Sequence, residues 1–72
     1  MSNNNPQSKI GKNLKKLRQE KGILQDRLSK LADLSFNTVV TVELGANPNP
    51  TIETLMKITK TLGVGLEEIY RK

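Results

Sequence analysis

The side chains of this sequence that could do chemistry are carboxylates, amines, guanidinium groups, amides and hydroxyls. Histidine and cysteine are both absent from the 72 residues. The commonest general base, the commonest zinc ligand and every thiolate or disulfide are therefore missing. An enzyme would have to be built from carboxylates, lysines or hydroxyls, so we expect a binding protein with no catalytic residue, cofactor or metal.

Positive charge is concentrated in the first third of the chain. The net charge is +5, and residues 1–30 hold eight lysines and arginines against two acids, whereas residues 31–56 hold three acids and no base. A basic segment suggests a polyanionic partner such as nucleic acid. A solvated lysine face on a surface helix would give the same composition, so charge alone does not decide between them.

The length of the chain limits it to one small domain. A domain of 72 residues buries a modest core and is often stabilised by a partner subunit. No apolar run approaches the ~20 residues that span a bilayer. The polar start MSNNNPQS is not a signal peptide, so we expect a cytoplasmic protein in which residues 1–8 are a disordered tail.

Five short helices are predicted by the spacing of apolar residues and by residues that start and stop helices. Ile10, Leu14 and Leu17 recur at i, i+4 and i+7, and Gly22 stands where such a helix would end. Thr51 and Gly63 bracket a later helix in the same way. The predicted helices cover about residues 9–21, 25–32, 36–44, 52–62 and 66–71, within a domain over 9–72.

The stretch from Thr38 to Val42 is ambiguous, because five consecutive β-branched residues favour a strand. Ser35 is nevertheless a good N-cap, and Gly45 supplies a left-handed stop. Leu34, before the cap, and Val39, four residues into the helix, form a hydrophobic staple. These start and stop signals favour a helix, which must be held in place by packing rather than by propensity.

The two sides of this helix have different characters. At 100° per residue, Val39 and Val42 share one side, whereas Val40 and Thr41 lie on the opposite side. Phe36 flanks them. If Val39 and Val42 face the core, an apolar strip is exposed, and on so small a protein such a strip usually marks a binding surface.

Residues 25–44 have the spacing of a helix-turn-helix, with a three-residue turn at 33–35. Any small helical bundle contains short turns, so the spacing is a weak signal by itself. Taken together, LKKLRQEKG, Gln25, LADLS, TVVTVELG and PTIETLMKITKTLGV resemble the phage-repressor and Cro-like helix-turn-helix family, the Xre family. The resemblance covers about Ile10 to Ile69.

The resemblance implies an all-α fold, a compact five-helix lambda-repressor-like DNA-binding domain, and it assigns roles by position. The positions that match the family's base-facing residues are Phe36, Asn37, Val40 and Thr41. The candidates for DNA phosphate contacts are Gln25, Lys9, Lys12, Arg27, Lys30, Thr38, Asn47 and Asn49. Arg18 and Glu43 fall where the family keeps a partly buried ion pair between its first and third helices.

Several residues depart from the family pattern. Asp33 stands at a turn position that is usually glycine, and Leu24 replaces a small polar cap. The loop ANPNP, residues 46–50, carries no cation where relatives are often basic, and Thr59 replaces a small apolar residue. Backbone affinity would then depend on the bases of the first two helices, so we expect weak and strongly salt-dependent DNA binding.

The expected function is that of a sequence-specific double-stranded DNA-binding transcriptional regulator, a repressor acting as a homodimer on a pseudo-palindromic operator in the nucleoid. The candidate dimer contacts are Met56, Leu66, Ile69 and Tyr70, although packing within one chain would explain these residues equally well. An alternative is a protein-interaction module of the same fold, such as an antitoxin-like partner, in which Phe36 and Val40 contact protein.

Overall fold

The computed structural model describes residues 6–46 and 50–70. These residues form five α-helices and no strand, which confirms the all-α prediction. The helices are α1 (Pro6–Glu20), α2 (Gln25–Leu31), α3 (Phe36–Leu44), α4 (Ile52–Leu62) and α5 (Leu66–Ile69).

The first helix starts earlier than the sequence predicted. It begins at Pro6 rather than at about residue 9, while residues 1–5 lie outside the described part. Proline suits a first helical turn because its φ is preset and it has no N–H to leave unsatisfied. At their other ends α1 and α2 stop one residue early, and α5 stops at Ile69.

The ambiguous β-branched segment is helical. Ser35 Oγ accepts a hydrogen bond from the Thr38 backbone N–H at 3.1 Å, and Gly45 closes α3 in the left-handed conformation at φ 74°. Val39 and Val42 are buried in the core. Burying each of these side chains contributes about 1.5–3 kcal/mol, which outweighs the few tenths of a kcal/mol by which β-branched residues disfavour a helix.

The core is a single apolar cluster to which all five helices contribute. Its buried members are Leu14, Leu28, Val39, Val42, Leu55, Ile58, Leu62 and Ile69. Thr59 is also buried, and its hydroxyl donates to the Met56 carbonyl at 3.2 Å. The departure from the family at this position therefore leaves no unpaired polar group in the core.

The backbone of α1 lies close to that of α3 at Gly11, which is buried. A Cβ atom added at this position would lie 2.5 Å from the carbonyl oxygens of both Val42 and Glu43. Only a residue without a side chain lets the two helix backbones come this near. No local pattern distinguishes Gly11, because a glycine within a helix pattern carries no sign of what packs against it.

None of the helices formed by residues 6–46 and 50–70 is long and apolar enough to cross a membrane.

Candidate nucleic-acid interface

The turn between α2 and α3 sets the direction in which α3 projects. Asp33 adopts φ 58° within it, and the Leu34 N–H bonds back to the Ser29 carbonyl at 2.9 Å. A left-handed conformation costs an L-residue about 1–2 kcal/mol, although aspartate tolerates it better than most. The turn therefore keeps the geometry that a glycine would adopt freely, with some strain at Asp33.

The four residues predicted to contact DNA bases all lie on the outer side of α3. Phe36 is 51% exposed and Asn37 is exposed, while Val40 and Thr41 are half-buried. Leu44, one turn beyond Val40, is 70% exposed. Since none of the other described helices covers this face, it is available to a ligand.

The polar groups of this face differ in what they can still bond. Among the described residues, no hydrogen bond engages the Asn37 side chain, whose amide keeps both its donor and its acceptor atoms. The Thr41 hydroxyl donates to the Thr38 carbonyl at 3.2 Å, so it meets a ligand as an acceptor. The Ser35 and Thr38 hydroxyls lie 2.7 Å apart and bond to each other.

Behind this face, a buried ion pair anchors α3 to α1. Arg18 Nε lies 2.7 Å from Glu43 Oε2, and Arg18 Nη2 lies 3.2 Å from Glu43 Oε1. Arg18 also donates from Nη1 to the Ile23 carbonyl at 2.7 Å. Such a pair adds little net stability over an apolar replacement, but removing one partner typically costs about 3–5 kcal/mol because a buried charge remains.

Gln25 extends this ion pair to α2. Its Nε2 donates to Glu43 Oε1 at 2.9 Å, an interaction that sequence analysis missed when it assigned Gln25 to a phosphate contact alone. An amide nitrogen carries two hydrogens, so one of them is still able to donate to a phosphate. No local sequence signal pointed to Glu43 as the partner of Gln25.

The bases predicted to contact phosphates lie on α1 and α2. Lys9, Lys12, Arg27 and Lys30 are all exposed. Lys30 Nζ lies 3.8 Å from Asp26 Oδ2 in an exposed pair, which solvent weakens to a fraction of a kcal/mol. Two further candidates, Asn47 and Asn49, lie outside the described residues.

The candidate dimer contacts do not all reach the surface. Met56 and Tyr70 are exposed and Leu66 is half-buried, but Ile69 is fully buried. The assignment of Ile69 to a dimer contact is wrong, since its side chain fills the core of its own chain. Another exposed apolar residue, Ile52, lies one turn before Met56 on α4.

Within the described ranges, no three carboxylates gather closely enough to hold a metal ion.

Two short helices joined by a tight turn, the second with its outer face uncovered, define a helix-turn-helix domain. The family model described as Helix-turn-helix matches residues 14–69. The chain therefore belongs to the phage-repressor and Cro-like helix-turn-helix family, the Xre family.

A characterised relative and two solved structures support this placement. The HTH-type transcriptional regulator PuuR of Escherichia coli (strain K12) is 35% identical over 60 residues, which make up 83% of this chain and 32% of that protein. This chain thus spans about a third of the length of that relative.

The solved structures agree over most of the chain. The restriction-modification controller protein C.AhdI from Aeromonas hydrophila has a TM-score of 0.82 and 31% identity, over 86% of this chain and 92% of that one. SinR, the master regulator for biofilm formation, solved in complex with DNA, has a TM-score of 0.81 and 27% identity, over 86% and 98%. The expected lambda-repressor-like fold is confirmed.

Proposed function

We propose that this chain is a sequence-specific double-stranded DNA-binding transcriptional regulator that represses transcription as a homodimer in the cytoplasm, on nucleoid DNA. The observation that carries the proposal is the uncovered outer face of α3, where Phe36, Asn37, Val40 and Thr41 lie together. In helix-turn-helix proteins the second helix enters the major groove and its N-terminal residues contact base edges. The DNA complex of SinR, a structure of the same fold, supports this role.

Phosphate contacts would position the protein and supply most of its affinity. The exposed bases of α1 and α2, Lys9, Lys12, Arg27 and Lys30, are the cations for this purpose, and Gln25 and Thr38 are neutral contributors. Asn47 and Asn49, between α3 and α4 in the sequence, complete the proposed set. Four phosphate-neutralising side chains per protomer make eight per homodimer, which predicts a slope of about −7 for log affinity against log salt.

The homodimer is proposed from the exposed apolar residues Met56 and Tyr70 and from Leu66, which is partly exposed. Two copies related by a twofold axis would place their α3 helices in successive major grooves. Half-sites about 34 Å apart on a pseudo-palindromic operator follow from one turn of B-DNA. The role is one of binding and requires no catalytic group, cofactor or metal.

Selection of bound duplexes from a random pool tests the proposal directly. We expect enrichment of a pseudo-palindrome with half-sites one helical turn apart, and a steep loss of affinity as salt is raised. Single-stranded DNA of the selected sequence is the control and should bind weakly. No enrichment together with a salt slope near zero would overturn the proposal.

A second candidate is a protein-interaction module, such as an antitoxin-like partner, and one observation favours it. Phe36 and Leu44 are large exposed apolar residues on a helix that carries no base. Apolar surfaces of this kind also serve protein contacts. Duplex binding without sequence preference, combined with a stoichiometric protein complex that Phe36→Ala abolishes, would favour this candidate over the regulator.

A further inference from the structure

We propose that α3 is a reader of A·T pairs, in which Phe36 and Val40 pack on thymine methyl groups and Asn37 bonds an adenine edge, while G·C pairs are left unspecified. This inference rests on the proposed function and adds the class of DNA sequence that the protein selects. It is carried by the chemical character of the outer face of α3.

Guanine is the base that this face is least able to recognise. Specific recognition of guanine in the major groove usually takes two donors from one arginine or lysine, aimed at O6 and N7. The helix Phe36–Leu44 contains neither residue. Its one acid, Glu43, is buried with Arg18, so it does not reach a cytosine amino group either.

Asn37 matches adenine. Its exposed amide offers one donor and one acceptor side by side, the pattern that complements adenine N7 and N6–H₂. Thr41 adds an acceptor, because its own proton is donated to the Thr38 carbonyl. An acceptor is satisfied by the amino group of adenine or of cytosine, so Thr41 alone does not separate these two bases.

Phe36 and Val40 match thymine. They are four residues apart and therefore on one line of the helix surface, about 6 Å apart along its axis. Successive bases of one strand are about 3.4 Å apart, so the two side chains can reach methyl groups about two base pairs apart. The C5-methyl of thymine is the apolar group that the major groove presents to such side chains.

Deletion of single methyl groups from the DNA tests the proposed thymine contacts without altering the protein. A duplex selected by the wild-type chain is resynthesised with deoxyuridine in place of one thymidine at a time. We expect two thymidines per half-site at which the exchange lowers affinity about fourfold, the effect of losing one buried methyl-sized group. Exchange at thymidines outside the half-sites is the control and should leave affinity unchanged.

Protein variants then assign each methyl group to a side chain. In Val40→Ala one of the two sensitive positions should become insensitive to the exchange, and in Phe36→Ala the other. Leu44→Ala is the matched control, since Leu44 is an exposed apolar residue of the same helix but lies at its C-terminal end. It should retain both sensitive positions. Thermal unfolding of each variant verifies that it is folded.

The possible results separate this inference from the function on which it rests. Sequence-selective binding to half-sites rich in G·C, or selective binding that is indifferent to every deoxyuridine exchange, overturns the A·T reading and leaves the regulator in place. Failure to prefer any duplex overturns both.

Discussion

The Glu43 carboxylate accepts a hydrogen bond from the Gln25 amide at 2.9 Å and another from the Arg18 guanidinium at 2.7 Å. One buried carboxylate of α3 therefore bonds both α1 and the first residue of α2. A single side chain of α3 therefore links this helix to both preceding helices, in addition to the apolar packing that they share. Glu43 is buried behind the outer face of α3, so it would affect DNA binding only through the position of α3.

The ion pair between Arg18 and Glu43 should be costly to break from one side. We expect Arg18→Met to lower the free energy of unfolding by about 3–5 kcal/mol, because the Glu43 carboxylate remains buried without its partner. The double variant Arg18→Met with Glu43→Leu should lose much less. Urea denaturation followed by circular dichroism measures both. Lys30→Ala, which breaks an exposed pair, is the control and should change stability by no more than about 0.5 kcal/mol.

Gly11→Ala should destabilise the protein although alanine is the better helix former by about 1 kcal/mol. Its methyl group would lie 2.5 Å from two carbonyl oxygens of α3, and backbone atoms cannot rotate away. We expect a net loss of about 1–3 kcal/mol from overpacking. Lys15→Ala, at an exposed position of the same helix, should be nearly neutral in the same thermal unfolding experiment. An increase in stability for Gly11→Ala would show that α1 and α3 are not packed this closely.

The strain at Asp33 predicts an order of stabilities. At φ 58° a β-branched residue is strongly disfavoured, so Asp33→Val should lower the free energy of unfolding by about 1–2 kcal/mol. Asp33→Gly should equal or exceed the wild type, since the gain in the folded state offsets the greater freedom of the unfolded chain. Urea denaturation measures the stability of each variant. Equal stability of the valine and glycine variants would contradict a left-handed backbone conformation at position 33.

Two substitutions should affect DNA binding in different ways. Asn37→Ala should change which sequence is enriched, with a loss of about 1–3 kcal/mol confined to the base pair that it reads. Lys12→Ala should weaken binding to all sequences alike and make the salt slope of the dimer shallower by about two, one for each protomer. Fluorescence anisotropy titrations at several salt concentrations distinguish these outcomes. A uniform effect of Asn37→Ala across sequences would remove this residue from base recognition.

The exposed residue Met56 tests the proposed homodimer. Met56→Lys places a charge in the proposed contact, so we expect the dimer to dissociate while the fold is kept. Sedimentation velocity at micromolar concentration measures the oligomeric state. Glu53→Lys, at another exposed position of α4, is the control and should remain dimeric. If Met56→Lys stays dimeric, the interface lies elsewhere on the surface.

Local sequence was sufficient for most of the helices of this protein. The caps that start and stop α3 and α4 act within about three residues, and Ser35, Gly45, Thr51 and Gly63 all behave as predicted. The inward side of α3 was likewise predictable, because the period of a helix places Val39 and Val42 on one face. For the Arg18–Glu43 pair, the resemblance to a family supplied what spacing could not.

Tertiary structure decided the interactions that join residues far apart in the chain. The bond from Gln25 to Glu43 spans 18 positions, and the bond from Asn13 to the Ile69 carbonyl spans 56. The close approach at Gly11 and the complete burial of Ile69 belong to the same class. These features depend on where whole helices pack against one another, which is set by the summed burial of the apolar cluster. Residue types near each position therefore do not reveal them.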